Sequence, residues 1–494
     1  MISRFQISLF RARNTFSRQL ASYSSTTNIK NYDITVVGGG IAGSSLVCAL
    51  GSSALFRNTK IALVDSGSLT KISNWDPPTD SFSNRTVQIT SANQSFLSDI
   101  GVWDNVYKER VQPYSKVVLT DMLGGEILHF NTNPGAEFGK FPAYLVENVN
   151  LHQGCLKTIS EINKKEKRID IVEGIKVDSI KQGSQEADNF SDYPIINLSD
   201  GTAIKTRLLI GSDGMNSIVK KFANIDTYGH DYNQFGSVAN LCFDRVNETA
   251  YQRFLPTGPI VILPLPNGFA NLVWSMDTDV YNKTKNLSDE NFVKLVNAAL
   301  RLTSFSDFEY LLSLILPDGS LKNNIDILEE SEWRIRNSTE SSGFNESKGY
   351  SNPELSPPKI IQITKGSRQG FPLKLRNSDK YYSDRIALVG DAAHTMHPLA
   401  GQGLNAGLTD VITLVEILGN AVRLGIDIGS TENVLAEYNN KRYLSNTAFQ
   451  GGVDKLWHIF RSKNPIITTA RGFGMKTLNQ FPIIKEFMVK NAMF

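Results

Sequence analysis

Cysteine is scarce: Cys48, Cys155 and Cys242 are the only three in 494 residues, and they lie far apart in sequence. An odd, scattered set excludes a disulfide framework and a cysteine-rich zinc site, and fits a reducing compartment. Nowhere does the chain hold the roughly 18 consecutive apolar residues of a membrane-spanning helix. Neither charge sign dominates: 51 basic and 49 acidic residues leave a formal net charge of +2, so overall charge gives no argument for nucleic-acid binding. What remains is 41% hydrophobic and 20% charged, the balance of a globular protein long enough for two or three domains.

Acid is missing from the start of the chain. No Asp or Glu precedes Asp33, while Arg4, Arg11, Arg13, Arg18 and Lys30 supply positive charge. Ile2, Phe5, Leu9 and Phe10 share one face of a helix, with Arg4 and Arg11 off it. An amphipathic, Arg-rich, acid-free segment is the pattern of a mitochondrial presequence. The C-terminal forty residues are short of acid too. Lys455, Arg461, Lys463, Arg471, Lys476, Lys485 and Lys490 interleave there with Phe473, Met475, Leu478, Phe481 and Ile484. They read either as a helical region packed on the nucleotide domain with a solvated basic face, or as a basic surface that touches anionic lipid. An acidic electron carrier could also dock on such a surface.

Glycine carries the first chemical motif. "DITVVGGGIAGSSLVCAL" is an apolar run, a glycine turn and a helical pattern, and "KIALVD" follows as a second buried strand. Gly38 permits the tight turn, Gly40 lets backbone approach a pyrophosphate, and Gly43 lets helix and strand pack closely. The helix N-terminus adds free N–H groups and partial positive charge. Asp65 closes the second strand, where a carboxylate accepts hydrogen bonds from a ribose. The motif by itself does not separate FAD from NAD, and a structural glycine turn is the plainer alternative. A second feature, Gly211-Ser212-Asp213-Gly214, ends a strand before a helix whose N-cap candidate is Ser217.

The third is "GDAAHTMHPLAGQGLNAGLTD", residues 390–410, preceded by the strand pattern "RIALV". Asp391 is expected at the strand's end. Pro398 starts a turn, and Gly401-Gln402-Gly403 opens a helix through Leu404, Leu408, Val411, Ile412 and Val415. Its N-terminus suits an anion, whereas Asp391 suits hydroxyl groups. His394 and His397 supply two ligands where zinc needs three or four, so they are expected to shape the turn, and no metal is expected. Three hairpins stand between these motifs, turning at Gly124-Gly125, Asp200-Gly201 and Pro266-Asn267-Gly268. They predict an antiparallel sheet inserted into the nucleotide-binding domain. Its strands around Leu263 to Trp274 are expected to form a pocket wall.

Together these motifs resemble the class A FAD-dependent aromatic monooxygenases of para-hydroxybenzoate hydroxylase type. The chain is more similar still to the ubiquinone-biosynthesis hydroxylase family. "NRTVQITSANQSFLSDIGVW", "LPLPNGFANLVWS", "FPLKL" and "RIALVGDAAHTMHPLAGQGLN" carry that resemblance over most of residues 32–460. With the presequence pattern, it points to the eukaryotic mitochondrial branch. That branch hydroxylates ring C5 of a polyprenylated 4-hydroxybenzoate-type precursor through a flavin C4a-hydroperoxide. The resemblance implies FAD held by Gly38, Gly40 and Gly43 at the pyrophosphate and Asp65 at the adenosine ribose. It places Arg85, Asp213 and Gly214 near the cofactor and Asp391 at the ribityl chain. Pro398, Gly401, Gln402, Gly403, Leu404 and Asn405 border the isoalloxazine. O₂ activation belongs to the cofactor, and no acid–base residue is assigned.

The implied fold is α/β (α+β): a Rossmann-like FAD-binding domain with an inserted antiparallel β-sheet substrate domain and a C-terminal helical region. The expected layout is a presequence at 1–30, FAD-binding parts at 31–112, 206–230 and 376–450, and mixed segments at 113–205. A β-rich substrate domain follows at 231–375, with a surface insertion at 338–358, and a basic helical region at 451–494. The implied partners are a prenylated aromatic substrate, O₂, other ubiquinone-biosynthesis proteins and a peripheral contact with the matrix side of the inner membrane. The resemblance to the eukaryotic branch implies ferredoxin with its reductase as the electron donor, else NAD(P)H; the lack of a second complete dinucleotide fingerprint does not decide between them. A flavin dehydrogenase or halogenase on the same fold, or an FAD-bound assembly subunit, are the competing functions.

Overall fold

The computed structural model describes residues 29–131, 143–183, 192–341 and 356–481. The presequence expected at 1–30 lies almost wholly outside them, as do most of the insertion at 338–358 and the end of the basic C-terminal region.

The strand Ile29–Val37 runs parallel to Ile61–Asp65 on one side and to Ala203–Gly211 on the other. Between the first two, the helix Ile41–Ser52 makes the crossover of a βαβ unit. Its residues 43–51 are all buried because it lies between the helices Asn148–Lys165 and Gly403–Leu424. That explains an apolar sequence with no clean polar face. Ile169–Glu173 and Ile386–Leu388 extend the parallel sheet. Two sequence-distant cysteines meet in this core, where Cys48 Sγ donates to the Cys155 carbonyl at 3.2 Å. Both are free thiols.

The second sheet is larger and almost wholly antiparallel. The long strand Thr227–Phe243 pairs with Phe269–Asp277, which pairs with Gly258–Pro264 and through it with Thr249–Leu255. One pair departs from that pattern: Thr249–Leu255 runs parallel to Lys116–Asp121. The hairpins at Gly124-Gly125 and Pro266-Asn267-Gly268 belong to this sheet. The one at Asp200-Gly201 does not. Its strand Ala203–Gly211 continues into the centre of the parallel sheet, so that hairpin attaches an antiparallel flap to the nucleotide-binding layer. Alternation along a hairpin shows which faces are buried, but not which sheet it joins.

Several expected boundaries fall inside continuous elements. Positions 205/206, 230/231 and 375/376 lie within the strands Ala203–Gly211, Thr227–Phe243 and Gln369–Ser378, and 450/451 lies within the helix Ala436–Arg461. Each of these strands stays within one layer: Ala203–Gly211 in the parallel sheet, Thr227–Phe243 and Gln369–Ser378 in the antiparallel one. The last described helix, Pro465–Gln480, packs on the hairpin strand Ile127–Asn131 rather than on the nucleotide-binding domain. Arg471 draws it there. Its Nε and Nη2 donate to the buried Asp121 carboxylate at 2.6 and 2.9 Å.

Candidate active site

The first glycine turn is set by close approach. Gly38 takes φ +103°, and a Cβ there would lie 2.4 Å from the Ser212 backbone. A Cβ on Gly43 would lie 2.0 Å from the Gly38 carbonyl oxygen. Gly40 differs: a Cβ there would meet nothing within 4 Å, so its surroundings are open space. The same holds for Gly214 and Gly403. Asp65 accepts from the Gly39 and Gly67 amides, both at 2.6 Å, so its two oxygens clamp the turn and each keeps further acceptor capacity.

The strand leading into the late stretch ends at Leu388, three residues before Asp391. Gly390, at φ +59°, starts a short helical turn that presents Asp391. Surrounding protein raises the Asp391 pKa by desolvation, and His394 opposes the rise. The turn is anchored from below by Asp410, which is fully buried. Asp410 Oδ2 accepts from His394 Nε2 at 2.6 Å and the Gly390 amide at 3.1 Å. Its Oδ1 accepts from Arg442 Nε at 2.7 Å and Asn446 Nδ2 at 3.0 Å. Burial alone would raise the Asp410 pKa; His394 and Arg442 outweigh it and hold the carboxyl below the ordinary range.

His397 has a separate task. Its Nδ1 accepts the Leu399 amide at 3.0 Å, capping the turn Pro398–Ala400. The ring is therefore neutral with hydrogen on Nε2, and it packs edge to face on Tyr232 at 4.8 Å between centroids. Desolvation lowers its pKa to about 4. The two histidines thus turn to different partners and shape different parts of the loop.

One cavity of about 910 Å³ lies between the two sheets. Of the residues expected at a site, Gly40, Arg85, Gly214, Asp391, Pro398, Gly401, Gly403 and Leu404 line it. Gly38, Gly43, Asp65, Asp213, Gln402 and Asn405 do not. Gly38 and Gly43 set the turn behind Gly40. Asp213 accepts the Ile218 amide at 2.7 Å, beside Ser217, which caps the helix Ile218–Phe222 through the Lys220 amide. Asn405 faces away from the cavity, bonding to the Thr90 amide, Asn93 and the Gln88 carbonyl. The N-termini of Ile41–Ser52 and Gly403–Leu424 both reach the cavity, through Gly40 and Ile41 at one and Gly403 and Leu404 at the other. Neither has an acid in its first turn, so each can stabilise an anion.

The far end is apolar. Val117, Leu119, Val238, Val261, Leu263 and Val273 line it. The wall expected from Leu263 to Trp274 divides by strand alternation: Leu263, Asn271 and Val273 face the cavity, while Leu272 and Trp274 face the second core. Sequence reading missed a polar set at the junction. Tyr114 Oη donates to Gln88 Oε1 at 2.7 Å, both residues line the cavity, and burial raises the Tyr114 pKa far above the ordinary range. Thr86 adds a buried hydroxyl with no protein partner, also on the cavity wall. Thr86 and Gln88 fell within the stretch "NRTVQ", but no local pattern marks Tyr114; strand pairing alone brings it there.

Residues 347–447 match the family model described as "FAD binding domain". "Ubiquinone biosynthesis monooxygenase COQ6, mitochondrial" of Schizosaccharomyces pombe is 35% identical over 469 residues, covering 94% of this chain and 92% of the relative. The protein of the same name in Saccharomyces cerevisiae is 35% identical over 481 residues, covering 97% and 96%. Among solved structures, p-nitrophenol 4-monooxygenase PnpA from Pseudomonas putida superposes with a TM-score of 0.62. It has 17% identity and covers 94% of this chain and 99% of its own, a likeness of fold.

Proposed function

The chain belongs to the family of mitochondrial ubiquinone biosynthesis monooxygenases named COQ6, and on that premise we propose that it hydroxylates ring C5 of a polyprenylated 4-hydroxybenzoate-type precursor. It is an FAD-dependent monooxygenase, and the competing dehydrogenase, halogenase and assembly-subunit readings are not favoured. The observation that carries the substrate reading is the single cavity with glycine turns at one end and an apolar sheet at the other.

The residues present fit FAD. Gly40, Gly214 and Gly403 leave open space where side chains would intrude. Gly40 receives the pyrophosphate over a turn made possible by Gly38 and Gly43. Asp65 holds that turn and offers its remaining lone pairs to the adenosine ribose. Arg85 and Gly214 would flank the cofactor, and Asp213 orders the turn that follows Gly214 by accepting the Ile218 amide. Asp391 accepts from ribityl hydroxyls. Pro398, Gly401, Gly403 and Leu404 would border the isoalloxazine, with Asn405 tying the start of their helix to Thr90, Asn93 and Gln88. When bound, FAD supplies O₂ activation and oxygen transfer. The helix dipole at Gly403 favours negative charge beside it. The apolar walls exclude water and hold the substrate ring aligned. Tyr114 keeps its proton and fixes Gln88, which leaves the Gln88 amide as a donor toward a ring substituent.

The mitochondrial names of the relatives support a mitochondrial protein, and its proposed place is peripheral, on the matrix side of the inner membrane. Ferredoxin and its reductase are the proposed donor, with NAD(P)H as the alternative, and other ubiquinone-biosynthesis proteins are proposed partners. Cells lacking this protein should accumulate a prenylated precursor without the C5 oxygen, identified by mass spectrometry. Accumulation of a C5-hydroxylated precursor instead would place the enzyme at another step.

A further inference from the structure

The helix Pro465–Gln480 carries two of the most exposed large apolar side chains among the described residues. Ile466 is 79% exposed and Phe473 is 71% exposed. They stand at i and i+7, on the face opposite the buried Arg471, Gly472 and Met475. The inner face is tied down firmly. Arg471 holds Asp121 and, through Nη1, the carbonyls of Ile459 and Phe460. Gly472 packs against Gly124, and Asn479 donates to the Ile127 carbonyl. The outward residues therefore contribute nothing to the packing that holds the helix.

Its place in the fold gives that face a use. The hairpin under it supplies Val117, Leu119 and Phe130 to the cavity wall, and the preceding helix supplies Val453 and Leu456. Leu456 is also 47% exposed, so the cavity reaches the surface beside it. No acid occurs from residue 462 to residue 481. Lys476 flanks the apolar stripe, Lys455 lies on the adjoining helix, and both are exposed. Lys463 stands at the start of the stripe in an exposed ion pair with Glu309 at 3.1 Å, a contact worth little in water. Large apolar side chains spaced by small residues, with lysines at the border, are the composition of a helix that lies in a lipid interface.

We propose that the outward face of Pro465–Gln480, centred on Ile466 and Phe473, docks on an anionic lipid bilayer and sets the cavity mouth at Leu456 against the lipid surface. The inference rests on the proposed prenylated substrate for its purpose, but not for its test. The FAD-loaded protein is sedimented with vesicles of phosphatidylcholine and phosphatidylglycerol in equal parts, and with phosphatidylcholine alone. Wild type should prefer the anionic vesicles, with binding that weakens as salt rises. Ile466→Asp with Phe473→Asp should lower vesicle partitioning by about tenfold or more, and Lys455→Gln with Lys476→Gln should remove most of the anionic preference. Leu424→Asp, at an apolar residue 74% exposed elsewhere, should bind like wild type.

Turnover separates the two claims. The Ile466/Phe473 variant should retain its FAD and its rate on a tail-less soluble analogue, and lose rate on precursor embedded in vesicles. Wild type that sediments through this face but turns over neither substrate would support docking and defeat the substrate reading. Sedimentation unchanged by the Ile466/Phe473 pair, equal loss in Leu424→Asp, or wild type that needs a second protein to sediment, would each overturn the docking proposal.

Discussion

Asp410 closes the stretch "GDAAHTMHPLAGQGLNAGLTD", yet nothing in its local sequence marks it. The structure gives it four hydrogen bonds and joins through it the Asp391 turn, the helix Gly403–Leu424 and the helix Ala436–Arg461. Asp410→Asn would leave the buried Arg442 charge without its partner, at a cost of about 3 kcal/mol. Urea denaturation should show that loss, and FAD retention should fall with it because Gly390 and Asp391 share the anchor. His397 makes a separate prediction. With a folded pKa of about 4 against an ordinary 6.5, the folded ring refuses a proton that the unfolded chain accepts between those values. Its contribution is thus full above about 6.5 and lost as pH falls toward 4, by up to about 3 kcal/mol. The depressed Asp410 pKa acts in the same direction, at pH below the ordinary aspartate value. His397→Asn keeps an acceptor for the Leu399 amide but removes the titration. Stability measured against pH should therefore flatten between 4 and 6.5 in that variant.

At the scale of elements, the glycine turn separates two roles that a sequence motif merges. Gly43→Ala should destabilise the protein with or without FAD, because its Cβ would overlap the Gly38 carbonyl. Gly40→Ala should leave thermal unfolding of the FAD-free protein near that of wild type and weaken FAD binding, since the added methyl meets only the cavity. Comparing melting temperatures of the FAD-free variants with FAD affinity by fluorescence checks both. The strand–turn–helix units were legible because burial on both faces of a parallel sheet demands continuous apolar runs, and the turns demand glycine. Sheet membership was not legible. The Asp200-Gly201 hairpin alternates like its neighbours but joins the other sheet. Of the wall expected from Leu263 to Trp274, only Leu263, Asn271 and Val273 face the cavity. Tyr114 and Arg442 were invisible for a related reason: their partners lie far away in sequence and are reached only by tertiary pairing.

Across the whole molecule, the two sheets meet over one cavity, the parallel layer supplying the glycine turns and the antiparallel layer the apolar wall. Walls from both layers enclose that cavity, which fits an oxidation that must keep water from the reacting centre. The insertion and presequence read from the chain fall largely outside the described residues. In the C-terminal region, for which packing on the nucleotide-binding layer was one of two expectations, the helix Pro465–Gln480 sits on the hairpin instead, because a buried Asp121 attracts Arg471 across 350 positions of sequence. The central claim concerns the origin of the oxygen placed on the ring. FAD-loaded protein, a reductant system and a prenylated 4-hydroxybenzoate precursor are incubated under ¹⁸O₂ in ordinary water, and the product is analysed by mass spectrometry. One ¹⁸O atom at ring C5 is the predicted result; a hydroxylated product that carries only oxygen from water would contradict the account.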